Sequence, residues 1–268
     1  MDLIVIVGYL CSILIGIVLG LVGGGGSILS MPVLIYLFSV NEEVSTSYSL
    51  FIVGMSSLIG VLQRLKFNLL AVREGLIFAI PSTITAFFMR SLIMPNIPEA
   101  LHFFDTTVEK DTVIVILLGV LMMFTSLKML IGKDTNENNK KTPLSLVIAL
   151  GIAVGVLAGF VGAGGGFLIV PALIFMGLPI KKAISTSMLV VTIQSCVAFL
   201  GDFNNPKIMG EGGLDWSLLL VLTGLTVGGV IIGGIFSKKI DGSVLKKGFG
   251  VLILLVGGFL VMDKLHLF

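Results

Sequence analysis

The chain has 268 residues, of which 56% are hydrophobic and 12% are charged, and its mean hydropathy is +1.14. A soluble domain carries about 25% charged residues, so this chain lacks the charges to cover a water-soluble surface. Its hydrophobicity excludes disorder, and its net charge of +2 implies no basic nucleic-acid surface. We therefore predict an all-α polytopic membrane protein.

Apolar runs predict the helices in chain order. The long runs are 3–22, 46–63, 75–94, 112–132, 144–162, 184–200, 214–236 and 248–262. Two runs, 27–38 and 166–177, have only 12 residues each, about 18 Å of helix, which is too short to cross a bilayer. Each follows a long run across a glycine cluster, at 23–26 or 162–166. Consecutive glycines predict a broken helix, because each costs about 1 kcal/mol relative to alanine.

The polar segment 133–142 contains no apolar residue and divides the chain almost in half. Residues 16–35 align with 155–174 without gaps, with identities at 10 of 20 positions that include glycines and the pair Pro32 and Pro171. Such self-similarity is typical of a duplication. We predict a first transmembrane repeat at 1–132, a cytoplasmic linker at 133–142 and a second repeat at 143–268, each a glycine-broken hairpin plus three transmembrane helices.

The paired elements G-x-x-G-[GA]-G-G-x5-P run from Gly20 to Pro32 and from Gly159 to Pro171. They resemble the sulfite exporter TauE/SafE family of membrane transporters, and the resemblance covers essentially the whole chain. It implies transport of small sulfur-containing anions, by export or uptake, and leaves the substrate open.

Charge separates two possible topologies through the positive-inside rule. If each broken pair crosses the membrane once, the best orientation places 9 of the 17 basic residues inside, which is no bias. If each pair is a re-entrant hairpin, the two halves are inverted and 13 of the 17 lie inside. We prefer the inverted arrangement, in which both termini face outward.

The predicted anion site combines the glycine breaks with two polar helix starts. A break exposes N–H groups of the next half-helix, near Ser27 and Gly166, and such ends suit anions. The triplets Ser45-Thr46-Ser47 and Ser185-Thr186-Ser187 are interpreted as helix caps or as anion ligands through hydroxyls and free N–H groups. The candidate substrate-binding residues are Gly23, Gly25, Gly26, Ser27, Ser45, Thr46, Ser47, Gly162, Gly164, Gly165, Gly166, Ser185, Thr186, Ser187 and Gln194.

Other polar and small residues have simpler interpretations. Gln194 and Thr192 face either a cavity or a neighbouring helix. Charges inside the spans are nearly absent, and Glu74, Arg90, Asp202 and Asp215 are placed at edges, so no buried carboxylate is expected for proton coupling. Close helix packing is expected at Gly16, Gly20, Gly151, Gly155, Gly159, Gly224 and Gly228.

We expect a secondary transporter, an exporter that works by alternating access and is driven by an inside-negative potential. It would be a multi-pass protein of the cell membrane, the plasma membrane of a prokaryote. Its partners would be a small anion and the lipid bilayer, without nucleic acid, and its oligomeric state is left open. We expect no cofactor, catalytic residue or metal site. The alternatives are an anion channel and an intramembrane thiol enzyme using Cys11 and Cys196.

Overall fold

The computed structural model describes residues 3–24, 27–93, 100–103, 106–131, 143–161, 166–202 and 214–265. The linker at 133–142 lies outside these ranges. The first half contains α1 (Leu3–Val22), α2 (Ser27–Phe38), α3 (Glu42–Leu65), α4 (Val72–Phe88) and α5 (Lys110–Ile131). The second half contains α6 (Leu144–Val161), α7 (Gly166–Phe175), α8 (Ile180–Asp202), α9 (Trp216–Lys239) and α10 (Gly242–Leu265).

The helices confirm the predicted apolar runs, including the two short ones. Within the described ranges, five helices are long and apolar enough to cross a membrane, namely α1, α3, α8, α9 and α10. Helix α4 continues as a π-helical segment, Met89–Ile93. Two short antiparallel strands, β1 (Ala100–Phe103) and β2 (Thr106–Glu109), lead into α5 and were not predicted.

The packing of the helices is similar in the two halves when α1 to α5 are matched in order with α6 to α10. Helix α1 packs on α9, and its counterpart α6 packs on α4. Likewise α3 packs on α9 as α8 packs on α4, and α2 on α3 as α7 on α8. The pairs α3·α8, α5·α10 and α2·α7 join counterparts directly. When the halves are exchanged, each of the first three contacts therefore maps onto its equivalent, and each of the last three maps onto itself.

The directly paired counterparts α3 and α8 run antiparallel. Gly54 of α3 faces Ser195 of α8, whereas Gly60, further along α3, faces Met188, which comes earlier in α8. This antiparallel α3·α8 contact is called the seam below. Because α3 and α8 are equivalent by sequence, the same elements of the two halves point in opposite directions here.

The first broken pair is a hairpin that returns toward its starting end. The ring of Tyr9, near the start of α1, lies 5.6 Å from the ring of Phe38 at the end of α2. Helix α7 is buried along Gly166–Leu173, and α8 lies against it, α3 and α4. The core of the protein therefore surrounds α7 and the inner faces of α3 and α8.

Glycines allow close approach of the helices, as expected at most of the predicted positions. A Cβ on Gly16 would strike the backbone of Thr226 and Gly229 in α9, and one on Gly155 would strike Ser82 in α4. Gly20 and Gly159 make similarly close contacts, and at Gly151 the nearest atoms lie 3.0 Å from the Cβ position. The packing interpretation of Gly224 and Gly228 is wrong, because nothing lies within 4 Å of the Cβ position of either. Both sit on faces of α9 turned away from α1, and Gly229 and Gly233 make the contact instead.

Candidate functional site

The break between α1 and α2 begins where one backbone hydrogen bond of α1 is split. Gly23 still donates to the carbonyl of Leu19, at 2.8 Å, with a φ of +85° that favours glycine. The next bond of the helix would join the N–H of Gly24 to the carbonyl of Gly20. Instead, Gly24 donates to the hydroxyl of Ser187 in α8, at 3.4 Å.

Ser187 is therefore part of the break although it lies 163 residues away in sequence. Its Oγ donates to the carbonyl of Ile184 at 2.8 Å while accepting from Gly24. A Cβ on Gly23 would collide with this hydroxyl. The structure thus brings together two of the predicted site elements, the first glycine cluster and the second Ser-Thr-Ser triplet.

The carbonyl of Gly20, which Gly24 leaves without its helical partner, is bonded instead by Arg64, a residue that the sequence analysis did not single out. The carbonyl of Gly20 accepts from Nη2 of Arg64. Nη1 of the same side chain lies 3.4 Å from the carbonyl of Ile184 and 3.0 Å from Sδ of Met188. Arg64 is only 3% exposed. Arg64 is the penultimate residue of α3 and so lies at the edge of the span, but the burial of its side chain was not predicted.

Arg64 was missed because the predicted apolar run ends at residue 63, whereas the helix continues to Leu65. An arginine just past a hydrophobic run is usually a cytoplasmic flank. The available signal was that α3 carries its small and hydroxyl residues at helical spacing up to this point, which indicates an interior face.

The last residue of the second glycine cluster, Gly166, lies against Gly24 of the first. Helix α7 begins at Gly166, as predicted, and the backbones of Gly24 and Gly166 are in contact, so that a Cβ on either would overlap the other. The predicted ligands Gly25, Gly26, Gly162, Gly164 and Gly165 lie outside the described residues, as does the side chain of Ser27.

The two Ser-Thr-Ser triplets are not helix caps. Helix α3 begins at Glu42 and α8 at Ile180, so both triplets lie inside helices. The N–H of Ser45 donates to the carbonyl of Asn41 at 2.7 Å and is not free for an anion. The hydroxyls of Ser45 and Ser185 donate to nearby backbone carbonyls. Oγ1 of Thr186 accepts from the N–H of Ala71, at 3.1 Å, and so joins α8 to the segment before α4.

The triplets also lie at opposite ends of the seam, because α3 and α8 are antiparallel. Ser47 donates to the carboxylate of Asp202 at the far end of α8. Asp202 is 7% exposed. Asp202 is the last residue of α8, at the edge as predicted, but the burial of its carboxylate was not expected. Glu74 lies in the first turn of α4 and is exposed. The side chain of Arg90 is not among those described.

Halfway along the seam the interior contains polar groups without partners. Gln194 donates from Nε2 to the hydroxyl of Ser82 in α4, at 2.9 Å, which is the helix-to-helix alternative. Its Oε1 has no partner among the described residues, nor have the hydroxyls of Ser57 and Ser195, which are 0% and 1% exposed. Thr192 bonds the carbonyl of Met188 in its own helix.

The sequence profile described as Sulfite exporter TauE/SafE matches residues 9–260. The chain belongs to this family. The resemblance carried by the two glycine–proline elements is thereby confirmed. This TauE/SafE family member is a multi-pass membrane transporter and not an enzyme, so the thiol-enzyme alternative is wrong. Cys11 and Cys196 are both free and half-buried.

Curated relatives of this TauE/SafE member carry the name "Probable membrane transporter protein". One from Xylella fastidiosa strain 9a5c is 30% identical over 259 residues, covering 92% of this chain and 91% of the relative. YdhB of Bacillus subtilis is 26% identical, covering 88% and 92%. One from Haemophilus influenzae is 27% identical, covering 92% and 94%. No solved structure matches the chain.

Proposed function

We propose that this TauE/SafE family member exports a small sulfur-containing or organic anion, such as sulfite or a sulfonate, across the cell membrane of a prokaryote. One observation carries the proposal. The hydrogen bond between Gly20 and Gly24 is split, and both halves are turned toward side chains of other helices. The break lies beside the N-terminal ends of the half-helices α2 and α7, which begin at Ser27 and Gly166. The N-terminal ends of discontinuous helices hold anionic groups in transporters, because their N–H groups have no partner within the helix.

The orientation of the site places it where an exporter would bind its substrate. Basic side chains collect at the end of the seam that holds the first break, where Lys181 donates to the carbonyl of Lys238 at 3.3 Å and Lys238 lies over the ring of Phe67. By the positive-inside rule this end faces the cytoplasm. An inverted arrangement of the halves is supported by the antiparallel seam and by the returning hairpin of α1 and α2. The anion would then be taken up from the cytoplasm.

The route to the outside would follow the seam. Ser57 and Ser195 supply buried hydroxyls without partners halfway along it, and a passing anion could accept hydrogen bonds from them. Asp202 lies at the opposite end and would disfavour return of an anion. Alternating access would come from movement of one half against the other. An inside-negative potential contributes about 2.3 kcal/mol per charge per 100 mV to anion exit.

Flux measurements on purified protein in proteoliposomes test this function. The probes are sulfite, sulfate, thiosulfate and methanesulfonate, and protein-free liposomes are the control. We expect saturable flux of at least one sulfur oxyanion that accelerates when the trans side is made positive with valinomycin, and little effect of collapsing a pH gradient. Flux equal to that of protein-free liposomes for every probe would overturn the proposal. Conductance that does not saturate would favour the channel alternative.

A further inference from the structure

We propose that Arg64 is the charged ligand of the transported anion, in a site bounded by the end of α1, the end of α3 and the start of α8. This inference rests on the proposed function and assigns to its site a side chain and a ligand class. The ligand would be a small oxyanion that can accept two hydrogen bonds from one guanidinium group. Chloride, a single spherical acceptor, would bind more weakly.

The first argument is the charge that Arg64 carries into the interior. Its partners in the described part of the chain are two backbone carbonyl oxygens and one thioether sulfur, and none is a carboxylate. Asp202 lies 18 residues along α8 from Ile184, about 27 Å away. A buried arginine in a membrane protein normally has an anionic partner or faces a functional cavity, because an uncompensated charge is costly to desolvate.

The second argument is the place where the guanidinium sits. It bonds the carbonyl of Gly20, the residue whose backbone partner Gly24 has turned to Ser187 instead. The guanidinium, the hydroxyl of Ser187 and the break in α1 therefore meet at one point. The contacts above use three of the five N–H groups of the guanidinium, two on Nη1 and one on Nη2. In the described ranges Nε–H and the second N–H of Nη2 have no partner, so two N–H groups are left for a ligand at the break.

The third argument concerns ligand class. The guanidinium is a planar fork that binds two oxygens of a carboxylate, phosphate or sulfur oxyanion in parallel, which an ammonium group cannot do. A transporter that needed only a diffuse positive charge would be served equally by lysine. The sequence places its basic surface residues mostly as lysine at this end, but the buried position carries arginine.

A purely structural role is the competing explanation. Arg64 could serve only to bond the carbonyls left open at the end of α1. That role predicts a loss of stability on substitution and no change in anion affinity. The ligand role predicts a loss of affinity in protein that still folds.

The experiment compares wild-type protein, Arg64→Gln, Arg64→Lys and the control Arg73→Gln in one detergent. Arg73 lies in the first turn of α4 and is exposed. Its replacement by glutamine changes the net charge by the same amount as Arg64→Gln. The readouts are the sulfite affinity by calorimetry and the rise in melting temperature with sulfite, which measures binding to the folded state. We expect affinity to fall about 10- to 100-fold in Arg64→Gln, to fall less in Arg64→Lys, and to stay within about twofold in Arg73→Gln.

Equal sulfite affinity of wild-type protein and Arg64→Gln would overturn this inference and leave the proposed function standing. If Arg64→Gln does not fold, Arg64→Lys decides: wild-type affinity for sulfite and an unchanged preference for sulfite over chloride would overturn the inference. Wild-type protein that binds none of sulfite, sulfate, thiosulfate and methanesulfonate would instead overturn the proposed function.

Discussion

Ser47 donates a hydrogen bond to the buried carboxylate of Asp202, where the start of α3 meets the end of α8. At the other end of the seam, Ser187 and the buried Arg64 both donate to the carbonyl of Ile184. The two serines occupy the same position of their Ser-Thr-Ser triplets. The seam therefore has a buried carboxylate at one end and a buried guanidinium at the other. The carboxylate belongs to the second half of the chain and the guanidinium to the first, so the two halves are not equivalent in charge.

The Ser47–Asp202 contact should contribute measurably to stability, because hydrogen bonds to charged groups are stronger than neutral ones. We expect a coupling energy of about 1 to 3 kcal/mol in a double-mutant cycle of Ser47→Ala and Asp202→Asn. The measurement is reversible unfolding in detergent, or steric trapping in bicelles. Strictly additive effects would show that the two side chains do not interact.

Adjacent glycines of α9 should respond oppositely to alanine. A Cβ on Gly229 would strike the backbone of Ile13 and Gly16, whereas the Cβ position of Gly228 is open. Gly229→Ala should destabilise the protein by about 1 to 3 kcal/mol, and Gly228→Ala should stabilise it by up to about 1 kcal/mol through helix propensity. Thermal unfolding of both variants side by side measures the difference. An equal loss of stability in Gly228→Ala and Gly229→Ala would contradict the observed packing, in which α9 turns Gly229 and not Gly228 toward α1.

Gly23 and Gly177 form a matched pair of glycines with positive φ, +85° and +86°. Alanine in this left-handed region costs about 1 to 2 kcal/mol at either position. Only at Gly23 would the new Cβ also collide with the hydroxyl of Ser187, whereas the Cβ position of Gly177 is open. We expect Gly23→Ala to lose most of its anion flux in proteoliposomes and Gly177→Ala to keep it. Similar anion flux in Gly23→Ala and Gly177→Ala would show that the break at Gly23 is not part of the transport site.

The sequence makes a related prediction for Gly25 and Gly164, which lie outside the described residues. Valine at either position should abolish transport while leaving membrane insertion intact, if the glycine has a positive φ or lies against the substrate, where a Cβ is unwelcome. Flux assays with a parallel insertion assay measure both effects. Wild-type flux in either variant would show that glycine at that position is not needed for transport.

Removing the unpartnered hydroxyls of the seam should affect anion flux and protein stability differently. Removing a buried hydroxyl that has no partner relieves a desolvation cost of about 1 to 3 kcal/mol. We therefore expect Ser57→Ala and Ser195→Ala to be as stable as wild type or more so, but slower in anion flux. Ser126→Ala is the control, because it removes a buried hydroxyl from α5 that bonds the carbonyl of Gly250 at 2.6 Å, away from the seam. Unchanged flux in both seam variants would exclude the hydroxyls from the route.

Membrane orientation can be tested at exposed positions of known location. In a Cys11→Ala, Cys196→Ala background, single cysteines replace Lys66, Lys182 or Ser217, all of which are exposed. The inverted arrangement predicts labelling of positions 66 and 182 from the cytoplasm and of position 217 from outside. Labelling of 66 and 182 from opposite sides would support parallel halves instead. Positions 2 and 266 should be labelled from outside.

Local chemistry makes much of this fold readable from the sequence. Long apolar runs specify helices because backbone groups in lipid must bond within their own segment. Glycine clusters specify breaks, and α2 and α7 begin at Ser27 and Gly166 as their sequences predict. The repeated glycine–proline elements were sufficient to identify the family to which the chain belongs. Each of these signals is contained within about 20 neighbouring residues, the length of one crossing helix.

The tertiary structure alone decided which side chains meet. Hydropathy cannot tell Gly228 from Gly229, because their roles depend on how α9 is rotated against α1. It also cannot show that Ser47 bonds Asp202 while Ser187 and Arg64 both bond the carbonyl of Ile184, since this follows from the antiparallel register of α3 and α8. Rotation and register are set by the packing of many small residues between segments far apart in sequence. The two buried charges therefore became visible only when the helices were placed together.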